Sequence, residues 1–370
     1  MSSSSPFAPT TELIEEIRAG RLIVLADDED RENEGDLVFA ADFVTPEKVN
    51  FLARFGRGLV CMAITDQHAR RLELSPMTGS NRSVHGTAFT VAIEAAEGIS
   101  TGISAADRAH TIRVASRPDA LPRHIVQPGH VFPLVSRDGG VLVRAGHTEA
   151  CCDLARLAGL TPAAVLCEIM NEDGTMARLP DLTAFAREHG LKLGSIADLI
   201  RYRAANESLI ERLGSRPVRN FAGEFTLHAY RDLPSGSVHF ALVTGAPEAA
   251  PEALVRVHEP FSALDLLDGS GGEHSWPVER ALDVISRSDF GVMVLLNCGD
   301  EAQALARRAG RPAGAGAGEA AGARHDLRTY GVGAQILRDL GVRKMRLLAK
   351  PRKMPSMAGF GLVTTGYLEN

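Results

Sequence analysis

Ten consecutive residues near the N-terminus carry the densest charge in the sequence. The segment DDEDRENEGD, residues 27–36, holds seven acids and one arginine, a local charge of −6 that equals the formal net charge of the whole chain. Strongly apolar stretches flank it, RLIVLA before and LVFAA after, which predicts a loop held between two buried strands. Its carboxylates suit a hard divalent cation, although like charges this dense also suit a solvated loop. Counting from Asp30 excludes an EF-hand, because Ala41 stands where that motif requires glutamate.

A second segment whose residue types could take part in catalysis or binding is RAGHTEA, residues 144–150. Arg144 and His147 flank a short Ala-Gly turn after an apolar stretch, and Thr148 begins a predicted helix. A helix N-terminus with a hydroxyl group and a neighbouring arginine suits a phosphate or another anion. His147 has two interpretations, a metal ligand or an ordinary structural histidine, and the residue types alone leave both open.

Further polar groups lie where predicted elements begin or end. Glu168 lies between an apolar strand and an Asn-Glu-Asp-Gly turn, where a carboxyl group can act as a general acid or base. His130, in QPGHVFPL, has a comparable place at a loop-to-strand junction. The segment STGISAADRAHT, residues 100–111, fits a phosphate cradle and equally well a helix N-cap with an ion pair on the helix.

The elements that must position these groups alternate between helix and strand. Helices are predicted over residues 11–19, 46–55, 104–114, 148–158, 182–189 and 196–213, and strands over residues 21–26, 37–41, 59–64, 87–95 and 164–170. Residues 130–144 have the pattern of a hairpin-like pair of strands around Asp138-Gly139-Gly140. This alternation is typical of a mixed α/β layered domain.

A second domain follows. The last helical pattern ends in Gly-Ser-Arg-Pro, which predicts a linker over residues 206–218. Residues 10–205 then form the first domain, residues 219–370 a smaller α/β domain, and residues 1–9 a flexible tail. In the second domain, strands are predicted over 225–230, 238–245, 253–259, 291–297 and 345–349, helices over 278–285, 301–309 and 333–340, and a Gly/Ala-rich flexible loop over 310–323.

The composition narrows the classes of function. The chain of 370 residues has 40 Lys plus Arg against 46 Asp plus Glu, and without a basic excess we expect no nucleic-acid partner. No apolar run approaches the ~20 residues that span a bilayer, and the N-terminus lacks the pattern of a secretory signal. The five cysteines show no C-x-x-C spacing, which favours a reducing compartment. We therefore expect a cytoplasmic protein without a membrane partner.

Taken together, the reactive segments resemble one enzyme family. DDEDRENEGDLV, HGTAFTV, STGISAADRAHTI, QPGHVFPL, RAGHTEACCDLARLAG and CEIMNEDGTMAR are similar, in this order, to segments of 3,4-dihydroxy-2-butanone 4-phosphate synthase. The resemblance covers residues 10–205. It implies a homodimer that converts D-ribulose 5-phosphate into 3,4-dihydroxy-2-butanone 4-phosphate and formate in riboflavin biosynthesis, with Mg²⁺ or Mn²⁺ as cofactor.

The resemblance also assigns roles to individual residues. Glu32 and His147 match the metal ligands, and His130 and Glu168 match the essential catalytic residues. The positions that match substrate contacts are Arg31, Glu32, Asp36, Arg144, Ala145, Gly146, His147, Thr148 and Glu168. Asp27 to Asp30 and Glu34 match no role. These residue types fit the reaction, in which a divalent ion stabilises an enediol, positioned carboxyl and imidazole groups move protons, and a closing acidic loop retains the intermediate.

The second domain resembles GTP cyclohydrolase II unevenly. LVRVHE (254–259) and DLRTYGVGAQILRDLGVRKMRLLAKPRK (326–353) are close to that family, with Asp326 and Arg328 at its acid–base and nucleophile positions. The zinc-binding cysteines are missing. Phe261 stands near the first of them, GSGGEHSWP replaces the Cys-x-Cys pair, and Cys298 is the only cysteine after Cys167. One thiolate does not make a zinc site, so we expect no zinc and an inactive domain kept for stability, dimerisation or regulation.

Alternatives for the second domain stay open from the residues. A zinc site rebuilt from His258, Glu273 and His274 would make the protein a bifunctional enzyme that also opens GTP. The basic run Arg343–Lys353 fits a regulatory nucleotide site, and it also fits a solvated face.

Overall fold

The computed structural model describes residues 6–259, 275–296, 327–351 and 357–370. The chain divides into two compact units, residues 1–202 and 203–370. Each unit contains a seven-stranded sheet with helices packed against it. The predicted mixed α/β class with two domains is therefore confirmed.

The first unit alternates helices and strands, as the sequence pattern predicts. Its helices are α1 (Thr10–Arg18), α2 (Pro46–Phe51), α3 (Asp66–Arg71), α4 (Ala105–Ala115), α5 (His147–Leu157), α6 (Leu179–Glu188) and α7 (Ile196–Asn206). Its strands are β1 (Ile23–Ala26), β2 (Gly35–Ala40), β3 (Cys61–Thr65), β4 (Ile93–Ala95), β5 (Ile125–Ser136), β6 (Ala163–Glu168) and β7 (Lys192–Ser195).

The sheet of the first unit has the strand order β4-β5-β3-β6-β2-β1-β7. Strand side chains alternate between its two faces. Val24, Phe39 and Met62 project from one face into a core that includes Val49 of α2 and Ile112 of α4. Helix α5 covers the other face, where it contacts β2, β3, β5 and β6. The N-terminus of α5 and the loop between β1 and β2 thereby meet at one edge of this face.

The second arm of the predicted hairpin is not a strand. β5 ends at Ser136, and Gly139 and Gly140 adopt left-handed backbone angles, with φ of 93° and 61°. The chain then forms a 3₁₀ turn over Gly140–Leu142, where the N–H of Val141 donates to Asp153 at 2.8 Å. The two glycines turn the apolar segment VLVR under α5, so its burial does not come from strand pairing.

The expected linker is also largely a strand. β8 (Ile210–Asn220) occupies most of residues 206–218 and pairs with the following strand along its length. β8 lies at the edge of the second sheet. An edge strand tolerates Pro217, which has no N–H to donate to a neighbouring strand. Helix α7 correspondingly ends at Asn206, before the predicted end at residue 213.

Part of the expected flexible tail is packed. The N–H of Ala8 donates to the carbonyl of Leu193 at 2.8 Å, and Phe7 lies against the core of the first unit. Residues 6–9 therefore belong to the folded unit, while residues 1–5 lie outside the described residues. The exact domain boundaries otherwise stay a prediction.

The second unit contains the strands β8, β9 (Gly223–Asp232), β10 (Val238–Gly245), β11 (Ala253–His258), β12 (Phe290–Leu295), β13 (Lys344–Leu348) and β14 (Val363–Leu368), with α8 (Val278–Ser286) and α9 (Leu327–Asp339). Its strand order is β14-β13-β11-β12-β10-β9-β8. The predicted helix 301–309 and the Gly/Ala-rich loop 310–323 lie outside the described residues. Within the described ranges, no helix combines the length and apolar character needed to cross a bilayer.

Candidate active site

The acidic loop, residues 27–34 between β1 and β2, is built around Asp27. Its carboxylate accepts hydrogen bonds from the backbone N–H groups of Glu32, at 3.1 Å, and Glu34, at 2.8 Å. The guanidinium of Arg31 donates to the same carboxylate at 2.8 Å. Because the Asp27 side chain is fully buried, these bonds replace its lost hydration. Asp27 therefore organises the loop, a role that its residue type and position in the sequence did not indicate.

Glu32 and His147 face each other at this loop. Oε2 of Glu32 lies 3.8 Å from Nδ1 of His147, and Nε2 of the same ring lies 3.0 Å from the carbonyl oxygen of Leu25. A carbonyl only accepts, so Nε2 carries the hydrogen. In a neutral ring, Nδ1 is then free to ligate, as in histidines whose second nitrogen is held by a carbonyl. The ligand atoms of Asp27, Glu32 and His147 lie within 4.8 Å of one another. Glu32 and His147, the pair that the family resemblance assigns to the metal, therefore lie close enough to bind one cation.

Burial and mutual charge set the protonation of these groups. Burial alone would raise the pKa of Glu32, but His147 and Arg31 lower it to about 2. Burial alone would lower the pKa of His147, but the carboxylates of Asp36 and Glu32 raise it to about 9. Burial raises the pKa of Asp36 to about 7, helped by the nearby Glu168 carboxylate and opposed by His147. Glu32 is therefore ionised, and His147 holds a proton on Nδ1 that a bound cation would displace. Asp36 can hold or release a proton near neutral pH.

Arg144 is held in a buried ion pair next to this cluster. Its Nη1 donates to Oε2 of Glu149 at 2.6 Å, and its Nη2 donates to the carbonyl of His85 at 3.0 Å. The other oxygen of Glu149 accepts the backbone N–H of Arg137 at 3.0 Å. The imidazole of His85 lies 3.9 Å from Glu32. His85 therefore links Arg144 to the acidic loop, and the two border one site.

Helix α5 begins directly behind Arg144. Gly146 is its N-cap residue, and a Cβ there would lie 2.2 Å from Nη1 of Arg144 and 2.7 Å from Oε2 of Glu149. Only glycine lets the guanidinium pack this closely. Thr148 is buried in the first turn, which starts one residue earlier than predicted, and Ala145 is half-buried. The first N–H groups of α5 lie beside the Arg144–Glu149 ion pair, and such a helix N-terminus is suited to an anion.

Asp36 and Glu168 are direct partners across β2 and β6, so their side chains project from the same face of the sheet. Oδ1 of Asp36 lies 3.9 Å from Nε2 of His147. Oε2 of Glu168 accepts the backbone N–H of Leu59 at 2.8 Å. Gly58 permits this approach, because a Cβ there would lie 2.5 Å from the Glu168 carbonyl oxygen. The strand pairing thus brings Asp36 and Glu168 to the Glu32–His147 cluster.

His130 lies further away, on β5. Its Nδ1 is hydrogen-bonded to the carboxylate of Glu94, and its side chain is 45% exposed. β3 lies between β5 and the Glu168-bearing strand β6, so the backbones of these two strands are roughly 10 Å, two strand spacings, apart. Among the described residues, no hydrogen bond or ion pair joins His130 to Glu168 or Glu32. The structure therefore does not bring His130 into contact with the other candidate residues.

Several residues that build the site were not singled out from the sequence. They are Asp27, His85, Glu149 and Arg178, which donates to backbone carbonyls of the acidic loop. Each lies inside a segment that carried the family resemblance. The residue type alone gave no signal, because what these residues do depends on a partner brought close by the fold.

In the second unit, most of the residues on which the predictions about zinc and GTP opening rest lie outside the described residues. This holds for Phe261, Glu273, His274, Cys298 and Asp326. His258 is buried at the end of β11, and Arg328 lies in α9.

Comparison with known proteins agrees with the division into two units. Residues 11–202 match the 3,4-dihydroxy-2-butanone 4-phosphate synthase family, and residues 211–369 match the GTP cyclohydrolase II family. A 3,4-dihydroxy-2-butanone 4-phosphate synthase of Neisseria meningitidis serogroup B is 50% identical over 365 residues, 99% of both chains. The riboflavin biosynthesis protein RibBA of Aquifex aeolicus is 48% identical over 369 residues, 96% of this chain and 90% of the relative.

Solved structures show the same likeness. The crystal structure of RibBX, a two-domain 3,4-dihydroxy-2-butanone 4-phosphate synthase from A. baumannii, aligns with a TM-score of 0.69 at 45% identity, covering 98% of this chain and 100% of that one. A 3,4-dihydroxy-2-butanone 4-phosphate synthase in complex with two magnesium ions aligns with a TM-score of 0.52 at 40% identity, covering 54% of this chain and 98% of that one. The resemblance predicted from the motifs is thus confirmed. The chain belongs to the 3,4-dihydroxy-2-butanone 4-phosphate synthase family of riboflavin biosynthesis, with a GTP cyclohydrolase II domain after the synthase domain.

Proposed function

We propose that the first unit converts D-ribulose 5-phosphate into 3,4-dihydroxy-2-butanone 4-phosphate and formate, using Mg²⁺ or Mn²⁺. The observation that carries this proposal is the pairing of Glu32 with His147, 3.8 Å apart. The test supplies the purified protein with ribulose 5-phosphate and measures formate with and without a chelator. Formate that appears only when a divalent ion is present is expected, and undiminished release after chelation would contradict the metal requirement.

Glu32 and His147 would hold the ion. A carboxylate oxygen and an imidazole nitrogen suit Mg²⁺ and Mn²⁺, and the bond between Nε2 of His147 and Leu25 leaves Nδ1 on the side of Glu32. A related synthase has been crystallised with two magnesium ions, which supports this cofactor class. When bound, the ion supplies Lewis-acid stabilisation of negative charge on substrate oxygens.

Substrate binding falls to two groups of residues in this proposal. Arg144, with the turn Ala145-Gly146 and the first α5 residues His147 and Thr148, receives the phosphate, because a guanidinium beside a helix N-terminus attracts anions. Arg31, Glu32 and Asp36 contact the sugar from the acidic loop and from β2. Glu168, on the same face of the sheet as Asp36, contacts the sugar from the other side.

Proton transfer is assigned to Glu168 and His130. One oxygen of Glu168 is held by the N–H of Leu59, which orients the carboxyl group and leaves its other oxygen for a substrate proton. His130 is oriented by Glu94 and lies two strands away from the strand that carries Glu168. The two groups then act at different ends of the bound substrate.

We expect the protein to work as a homodimer. His130 is 45% exposed, and three apolar side chains of the first unit, Leu59, Ile103 and Val126, are 40–54% exposed. An open catalytic residue and exposed apolar side chains on the same unit fit coverage by a second copy. Sedimentation of the metal-loaded protein should give twice the chain mass.

The cellular setting follows from composition and cysteine state. The four cysteines of the first unit are free and buried, in keeping with a reducing cytoplasm. The chain has no basic excess, so we propose a small-molecule enzyme without a nucleic-acid partner.

For the second unit, we infer that GTP is not opened. Cys298 is the only cysteine of this half, and the ring-opening chemistry of the family depends on zinc. The alternative is a bifunctional enzyme, which the family match of residues 211–369 and the RibBA relative favour. Formate is a product of both activities, so GTP must be supplied in a separate assay. A third possibility, a regulatory nucleotide site, predicts GTP binding without turnover.

A further inference from the structure

Arg178 joins the acidic loop to a distant part of the chain. It lies directly before α6, and its Nη1 donates to the carbonyl oxygen of Glu32, at 2.9 Å, and to that of Asn33. The partners are 146 and 145 residues apart in sequence. These bonds reach the backbone of the candidate metal ligand Glu32 without touching its side chain.

The loop is held from two sides at this point. The N–H groups of Glu32 and Glu34 donate to Asp27, whereas the carbonyls of Glu32 and Asn33 accept from Arg178. Asn33 lies between them with a φ of 56°, the left-handed conformation that most residues avoid. A turn with this geometry persists when its polar backbone groups are satisfied on both sides.

The position of Arg178 is itself well determined. Its backbone N–H donates to the carboxylate of Asp181 at 3.0 Å, at the start of α6. Leu182 of the same helix is buried, and it packs so closely against Gly35 that a Cβ at Gly35 would lie 2.4 Å away. Helix α6 is thus fixed against the residue at which the loop joins β2. The guanidinium therefore extends from a rigid element to the loop.

Charge adds to this geometry. The segment 27–36 has a local charge of −6, and its acids repel one another. The guanidinium of Arg178 places a positive charge directly on this segment, through its bonds to the carbonyl oxygens of Glu32 and Asn33. A cationic donor on the loop backbone therefore relieves repulsion and fixes the turn at the same time.

We propose that Arg178 is a positioning residue that holds the acidic loop in the conformation in which Glu32 faces His147. The inference rests on the proposed role of Glu32 and His147 as metal ligands. It adds Arg178, the residue that precedes α6, to those that determine metal affinity. Groups that orient a metal ligand typically change affinity by about 10- to 100-fold when removed.

The test compares three variants of the full chain. Arg178→Met removes the donors and keeps the length of the side chain, Arg178→Lys keeps a donor and the charge, and Arg187→Met changes an exposed arginine of the same helix as a control. Amide hydrogen exchange of residues 27–35 is measured in the metal-free protein, and Mn²⁺ affinity is measured by electron paramagnetic resonance. Circular dichroism checks the fold of each variant.

In Arg178→Met, we expect faster exchange in residues 27–35 and an Mn²⁺ affinity lowered about tenfold. Arg178→Lys should lie between this variant and the wild type, and Arg187→Met should match the wild type. Unchanged exchange in Arg178→Met would overturn the proposal. Faster exchange with unchanged Mn²⁺ affinity would overturn it as well, because the loop would then not position Glu32.

The exchange and Mn²⁺ measurements do not depend on turnover. A wild-type protein that binds Mn²⁺ but releases no formate from ribulose 5-phosphate would refute the proposed function and leave the role of Arg178 standing. If Arg178→Met does not fold, Arg178→Lys is tested by the same criteria. A smaller change is then expected in both the exchange and the Mn²⁺ affinity. Wild-type behaviour in both measurements would overturn the proposal.

Discussion

Neighbouring side chains determine the charge state of the Glu32 carboxylate. Arg31 donates to both of its oxygens, at 2.7 and 3.0 Å, and His147 lies 3.8 Å away. These positive groups keep the pKa of Glu32 at about 2 despite burial. A cation that enters the site therefore meets an ionised ligand at every pH at which the protein is expected to work.

Removing either member of the proposed metal pair should stop the reaction. In Glu32→Ala and His147→Ala, we expect loss of formate release from ribulose 5-phosphate and loss of tight Mn²⁺ binding, with the fold retained by circular dichroism. Glu29→Gln, which changes an exposed acid of the same loop, serves as the control for loop charge. Near-normal turnover in either alanine variant would remove the metal assignment.

Glu149 should matter for substrate binding through Arg144. Glu149→Gln keeps the shape of the side chain but removes the charge that faces the Arg144 guanidinium at 2.6 Å. Breaking one side of a buried ion pair costs about 3–5 kcal/mol, so we expect a lower Tm. We also expect a KM for ribulose 5-phosphate raised roughly tenfold, with a smaller change in kcat. Glu188→Gln, an exposed change on α6, should leave the Tm and the KM unchanged. An unchanged KM for Glu149→Gln would show that Glu149 does not contribute to substrate binding.

At the scale of elements, the site forms where strand ends meet the start of a helix. β1 and β2 present the acidic loop, β6 presents Glu168 opposite Asp36, and α5 presents His147 at its first residue. Apolar stretches on both sides of the acidic segment predicted this loop correctly. Their pattern could not predict which acids point inward, because that depends on the partners that the loop meets.

The contact between α3 and α4 predicts a pH dependence of stability. Nε2 of His68 on α3 lies 2.7 Å from the carbonyl of Ala115 on α4, and burial lowers the pKa of His68 below 6.5. The unfolded chain then takes up a proton at higher pH than the folded chain does. The contribution of His68 to stability is therefore complete above pH ~6.5 and is lost as the pH falls through its folded pKa.

Denaturant titrations at several pH values check this expectation. The free energy of unfolding of the wild type should fall between pH 7 and 5 more steeply than that of His68→Gln. Arg70→Gln, an exposed change on the same helix, should keep the slope of the wild type. Equal slopes for the wild type and His68→Gln would show that His68 does not contribute to the pH dependence.

At the scale of the whole molecule, the chain joins two units whose sequences match two enzyme families. The motifs of the synthase unit are intact, and the strand order of each unit forms a complete sheet among the described residues. The second unit keeps the cyclohydrolase-like segments but lacks the cysteines for zinc. The core and the site of a domain depend on different residues, so the missing cysteines do not prevent this unit from folding.

Metal analysis should distinguish the two units. After chelation and dialysis, Mg²⁺ or Mn²⁺ should restore formate release from ribulose 5-phosphate, and Zn²⁺ should produce no formate from GTP. The protein as purified should contain far less than one zinc per chain. Stoichiometric zinc together with zinc-dependent formate release from GTP would establish the bifunctional alternative.

The sequence by itself determined the family, the two-domain organisation and most of the candidate residues. These follow from local patterns, since an apolar stretch, a cap residue or a motif keeps its meaning wherever the chain later folds. Predictions from local patterns failed where one sequence pattern is compatible with two different structures. The strand predicted after Gly139-Gly140 is a buried 3₁₀ turn, and most of the predicted linker is the edge strand β8.

Only the tertiary structure decided how the candidate residues are held. Arg178 reaches the acidic loop across 146 residues, and Arg144 reaches the carbonyl of His85 across 59. It also separated His130, paired with Glu94, from the Glu32–His147 cluster. Contacts of this kind arise when the fold brings together segments that are distant in sequence. Their partners therefore cannot be read from residue types or spacing alone.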